Sequence, residues 1–139
     1  MTAKRQTITD NAVTLLQATS TLGSNVFPSR VYPIEQDDLP AAKVYYGEET
    51  LLDEQQTIDP PWIRSLLLNV EVVTLQNTGM EDTLDQVMYE IEQAFLGDRT
   101  LSGTVINTMY AGTSEPELSG EGEKPAVSMI VTHEVIYEQ

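Results

Sequence analysis

Between Thr78 and Gly97 the chain reads TGMEDTLDQVMYEIEQAFLG, with Met80, Leu84, Val87, Met88, Ile91, Ala94 and Phe95 at three- and four-residue steps. That period puts all seven on one helix face, while Asp85, Glu90 and Glu92 fall on the opposite, acidic face. Thr78 and Glu81 have the spacing of a capping box, Glu81 and Asp82 suit the positive end of the helix dipole, and Gly97 is placed to follow the last turn. A helix with such a stripe cannot bury it alone, so it must lie on a sheet or on another helix.

The flanking segments supply the sheet. Residues 1–6 read as a flexible polar start, and the spacing of Ile8, Ala12, Leu15, Leu16 and Thr19 or Leu22 predicts a first helix over 7–22, capped by Thr7 or Thr9 and ended by Gly23. Three prolines between Ser24 and Pro40 preclude a long helix and leave room for an edge strand around Arg30–Tyr32. Alternation then predicts strands over 41–46 and 62–75, the second with Leu66, Leu68, Val70 and Val72 on one face. A further strand is expected over 104–113, with Ile106 and Tyr110 on one face. A last strand begins at Pro125, where Val127, Met129, Val131, Val135 and Tyr137 align. Residues 47–61 and 115–124 read as long loops, the second as a projecting mobile hairpin tip. The expected architecture is a single α+β domain over 1–139. It is a two-layer sandwich in which two helices cover one face of a mixed, mostly antiparallel sheet of four to five strands. The other sheet face, with Asn69, Glu71, Ser128, Thr132 and Glu134 among Leu67, Val73, Ile130 and Ile136, is too apolar for an open surface and too polar for a core, and suits contact with another subunit.

Composition narrows the chemistry. Twenty-two acids against seven bases give a formal charge of −15, and no base follows Lys124. Phosphate backbones are held by clusters of Lys and Arg, so this balance opposes nucleic-acid binding. It fits either a solubilising surface or one that polyanions pass without sticking. There is no cysteine and one histidine, His133, which removes thiolate chemistry and disfavours a transition-metal site. No apolar run approaches a membrane span, and the first residues do not form a signal peptide. The acids Glu48, Glu49, Asp53 and Glu54 lack EF-hand spacing. Gly120–Pro125 lacks the full spacing of a phosphate-binding loop and the Ser or Thr after its lysine, and no serine lies in a nucleophile elbow. His133, in register with Val131 and Val135, reads as a partly buried strand histidine with a local hydrogen bond. The rival reading makes it the centre of a small acidic enzyme or ligand-binding α/β domain that uses nearby carboxylates. Trp62 is either a packing anchor or an interface anchor. Leu51, Leu52 and Ile58, set among the acids of 47–61, are candidates for burial against a neighbour.

The order and texture of the whole chain resemble the tail terminator (tail-completion) proteins of long-tailed phages, the minor tail protein U family. The likeness is carried by the opening helix and by VFPSRVYPIEQDDLPAAKVYYGEE with its Arg-Val-Tyr-Pro stretch. It continues through the variable loop before LLLNVEVVTL, the GMEDTLDQVMYEIEQAFL helix, and two closing strands ending EVIYEQ. The resemblance implies a structural protein without catalysis or cofactor, assembled in the host cytoplasm into the virion tail. It implies self-association into a ring, commonly a hexamer, that caps the tail tube, stops its polymerisation and offers a surface to a head-completion or connector protein. Other head–tail connector and neck proteins share this texture. In such a ring DNA passes through without specific binding, and Glu115, Glu117, Glu121 and Glu123 would line the lumen and repel it.

Overall fold

Two thirteen-residue strands lie at the centre of the fold, β3 (Ile63–Leu75) and β6 (Ala126–Glu138), paired antiparallel from Ile63–Glu138 to Leu75–Ala126 without a register shift. The computed structural model describes residues 4–28, 39–52, 62–75, 78–119 and 126–139. Around the central pair stand α1 (Lys4–Gln17), β1 (Val26–Phe27), β2 (Ala41–Leu51), α2 (Met80–Gly97), β4 (Asn107–Thr113) and β5 (Glu117–Ser119). The sheet order is β1-β2-β3-β6-β4, and β5 pairs with β6 as well. Among the described residues only β1–β2 is parallel. The expected α+β sandwich is therefore the observed one, with six strands among the described residues rather than four to five because β1 and β5 are short additions at the sheet margins.

Period-two alternation decides which side of the sheet is core. Val44, Leu66, Leu68, Val70, Val72, Val127, Val131, Val135 and Tyr137 are buried on one face. Ile8, Ala12 and Leu16 of α1 and Leu84, Val87, Ile91 and Phe95 of α2 join them in one cluster. Full burial of a Val, Leu, Ile or Phe side chain stabilises by roughly 1.5–3 kcal/mol, so these two stripes and the sheet face hold the layers together. On the opposite face the polar residues satisfy one another across strands. Thr132 donates to Asn69 at 2.8 Å, Ser65 to Glu134 at 2.9 Å and Tyr45 to Glu71 at 3.2 Å, and Lys43 stands 3.8 Å from Glu71.

Several boundaries differ from the sequence reading. α1 begins at Lys4, inside the stretch expected to be flexible, because the Arg5 side chain is anchored by two hydrogen bonds to Glu49. It ends at Gln17, and Ala18–Ser24 form turns in which Gly23 takes the left-handed φ of +53°. The capping box does not form: Gly79 is the N-cap of α2 without a side-chain bond, and Gly97 is the last helical residue, followed by Asp98. Glu90, expected on the solvent face, accepts hydrogen bonds from the Thr21 backbone and hydroxyl at 2.9 and 2.5 Å and so joins the turn after α1 to α2. Residues 98–106 are turns rather than the start of β4, with Leu101, Ser102 and Gly103 all at positive φ. In β4 the core-facing residue is Thr108, while Ile106 and Tyr110 are exposed. The edge strand expected around Arg30–Tyr32 lies outside the described residues.

Both long loops are shorter than expected. β2 runs on to Leu51, and a bulge between Tyr46 and Glu49 keeps it paired to β3. Gly47 sits in that bulge because a Cβ there would meet Asn69 Nδ2 at 3.0 Å. Glu117–Ser119, expected in a mobile tip, pair with Ala126–Ser128. The core assignment has a direct check. Leu68, fully buried in β3, should cost about 2–5 kcal/mol on Leu68→Ala, measured by urea unfolding. A loss below about 1 kcal/mol would mean that the helix-covered face is not the core.

Candidate functional site

Glu49 joins four elements at one end of the sheet. It sits in β2 after the bulge, pairs with Leu66, and thereby points toward the helix layer. Its carboxylate accepts from Arg5 Nε at 3.1 Å and Nη2 at 2.6 Å, from Arg64 Nη1 at 3.1 Å, and from the Tyr137 hydroxyl. The Arg5 hydrogen bonds, with further help from Tyr137 and Arg64, hold the Glu49 pKa down to about 2 despite its partial burial. Burial, and then the bond to Glu49, push the Tyr137 phenol up to about 12. With its lone pairs taken by two guanidinium groups and a phenol that stays protonated, this carboxylate cannot serve as a general base at neutral pH. It ties α1, β2, β3 and β6 together.

The second feature is a cavity of about 200 Å³ between α2 and β4, lined by Glu92, Phe95, Leu96, Thr108, Tyr110 and His133. His133 is buried and faces the helix layer. Its ring stacks on Phe95 at 4.1 Å between centroids and meets Tyr110 edge-on at 5.9 Å. The local hydrogen bond expected for it is absent at Nδ1, and Thr108 Oγ1 is also buried without a partner. Burial pushes the His133 pKa down to about 4, so the imidazole is neutral near pH 7. Two unpaired polar atoms beside the apolar walls of Phe95 and Leu96, with Glu92 at the same pocket, form a place that a partly polar group could complete.

Apolar side chains are exposed at both margins of the sheet. Tyr46, Leu51 and Leu52 stand at the β2 end, and Ile106, Met109 and Tyr110 at β4, each between 40 and 57% exposed. Of the interface candidates, Leu51 pairs with Arg64, whose guanidinium lies 5.3 Å from the Trp62 ring centroid. The structure thus brings Leu51, Leu52 and Trp62 to one end of the sheet, while Ile58 lies outside the described residues. Trp62 is half-buried and exchanges backbone hydrogen bonds with Gln139, which fits an anchor at the sheet end. Glu115 and Glu117 are exposed, and Glu121 and Glu123 lie outside the described residues. Among the described residues no group of three or more His, Asp or Glu side chains could hold a metal ion, and no helix is long and apolar enough to cross a membrane.

The chain matches no protein-family model and no curated protein. Among solved structures, its fold is similar to a chain from the virion of a native gene transfer agent particle. The TM-score is 0.57 and the identity 13%, and the match covers 92% of this chain and 93% of the other. At that identity the likeness shows a shared fold along nearly the whole of both chains.

His133 and Glu49 titrate in separate windows. His133 falls from an ordinary 6.5 to about 4 on folding. The unfolded chain therefore takes up its proton first, and stability is lost as pH falls from 6.5 toward 4. Glu49 is lowered from 4.5 to about 2, so its contribution is intact above 4.5 and lost between 4.5 and 2. Urea unfolding against pH should lose its slope in the upper window for His133→Gln and become shallower in the lower window for Glu49→Gln, where Glu90, also lowered, keeps a share. Glu49→Gln should also cost about 1.5–3 kcal/mol at pH 7, as expected for hydrogen bonds to a charged group. An unchanged slope in the matching window would refute the corresponding assignment.

Proposed function

We propose that this chain is a virion assembly protein of the tail terminator kind: a non-enzymatic subunit that closes into a ring of identical copies, a hexamer in the resembling family. The ring caps the tail tube, ends its polymerisation and presents a surface to the head-completion protein. The observation that carries the reading is the fold likeness, over nearly the full length of both chains, to a chain from the virion of a gene transfer agent particle. Two further features support it. The edges of the sheet carry exposed apolar side chains, which suits self-association. The chain bears a formal charge of −15, which suits a conduit that DNA must leave without adhering. On this reading Glu115, Glu117, Glu121 and Glu123 face the lumen, and the chain works within the tail of the assembled virion.

The cavity at His133 favours one rival, a small-ligand site, because it combines an apolar wall with unpaired polar atoms. The two readings separate by experiment. The purified protein should appear as closed rings by negative-stain electron microscopy and native mass spectrometry. Substoichiometric amounts should halt elongation of the cognate tail-tube protein, and His133→Gln should leave both behaviours intact. A monomer that turns over or tightly binds a small molecule, and loses that property on His133→Gln, would establish the rival.

Like charges resist closure, so ring formation should strengthen as salt rises from about 0.01 M to 0.15 M, where the Debye length falls from about 30 to 8 Å. Neutralising the four hairpin acids should lower the salt needed, read as ring fraction by size-exclusion chromatography. Ring formation that weakens over this range would exclude carboxylate repulsion as the term opposing assembly.

A further inference from the structure

The two margins of the sheet match each other level by level. Tyr46 pairs with Leu68, Leu68 with His133, and His133 with Tyr110, so a single cross-strand row runs from one margin to the other. Its two ends are exposed tyrosines. Toward the Glu49 end, Leu51 pairs with Arg64 and Arg64 with Tyr137. On the far margin Asn107 pairs with Ile136. Ile106, one residue earlier, therefore stands at the level of Tyr137 and Leu51. Alternation puts Tyr46, Leu51, Ile106 and Tyr110 all on the helix-covered side. Two exposed apolar residues on one margin thus lie level with two on the other, on the same side of the sheet.

Strand direction fits as well. From β2 to β3, β6 and β4 every pairing is antiparallel, so β2 and β4 run in opposite senses. A second copy set beside the first without stagger brings its β2 antiparallel to the first copy's β4. Among the described residues, β1 pairs with Ala42 and Lys43, and no strand pairs with the outer edge of β2 from Tyr46 to Leu51 or with the outer edge of β4. Charge suits the junction too. The β4 sequence, NTMYAGT, has no ionisable charge at neutral pH in a strongly acidic chain, so it can face the Glu48 of a neighbouring β2 without like-charge repulsion. Arg99, in the turns between α2 and β4, is exposed.

Resting on the ring reading above, we propose that neighbouring copies join margin to margin, with Tyr46 of one copy entering the α2–β4 cavity of the next and Leu51 meeting Ile106. The cavity is of the right size and chemistry for a phenol. At about 200 Å³ it exceeds the roughly 150 Å³ that admits benzene. Phe95, Leu96 and Tyr110 face the ring of the incoming side chain, and Glu92, Thr108 and His133 offer hydrogen-bond partners near its hydroxyl. The β2 bulge between Tyr46 and Glu49 lies between the two levels, so antiparallel pairing across the junction is local to Tyr46 with Tyr110 and to Leu51 with Ile106, and the side-chain rows add to it. Joining two different edges makes the interface heterologous, the kind that generates rings when its rotation closes.

The absence of native cysteine makes crosslinking a clean test. Directly opposed residues in an antiparallel pair have Cα atoms about 4.5–5.5 Å apart, within disulfide reach. Within one copy, residues 46 and 110 are three strand spacings apart, about 14 Å, and cannot bridge. Tyr46→Cys with Tyr110→Cys in one chain should oxidise to a ladder of covalent oligomers up to the ring. The two single variants should give no such ladder alone and heterodimers when mixed. Leu51→Cys with Ile106→Cys provides a second pair should the tyrosine pair disturb folding, which circular dichroism reports. Rings seen by microscopy while neither pair crosslinks would overturn the margin contact and leave the ring reading standing. A protein that stays monomeric at every concentration would overturn both.

Discussion

The β3–β6 pairing is the constraint on which the other elements depend. Thirteen consecutive pairs without a shift fix the register of His133 against Leu68 and of Tyr137 against Arg64. A slip of one residue would turn every valine of β6 from the core to the open face. The irregularities are confined to the flanking pairs, between Tyr46 and Glu49 on β2 and between Tyr110 and Gly112 on β4. A straight centre with bulged margins holds both helices on a continuous apolar surface while the outer strands bend.

Much of this was legible in the sequence. The stripe from Met80 to Phe95 and the alternation through Leu66–Val72 and Val127–Tyr137 identify the core, because burial writes a period of 3.6 or 2 into the chain. Helix ends were less legible. Thr78 and Glu81 have the right spacing for a capping box, yet the turn places Gly79 at the N-cap, and only backbone geometry decides between them. The extension of β2 through Glu48–Leu51 was missed because acids at an edge look like loop.

The site was hidden for a related reason. Nothing in GEETLLDEQQTIDPP distinguishes Glu49 from the other four acids of that segment, since its role comes from residues 44, 15 and 88 positions away. The cavity at His133 likewise needs α2, β4 and β6 together, and no local pattern encodes it. The lone histidine was conspicuous, but its unpaired Nδ1 is a property of the fold.

The ion pairs of the folded chain also redistribute its charge. Arg5 and Arg64 are drawn onto Glu49, and Lys43 lies beside Glu71, so three of the seven bases turn toward the protein's own acids. The exterior is correspondingly poor in cations and gathers a cloud of mobile counterions. Any protein that docks there with lysine or arginine side chains displaces those ions into bulk solvent. Part of the free energy of assembly is then entropic, released by small ions that belong to neither partner.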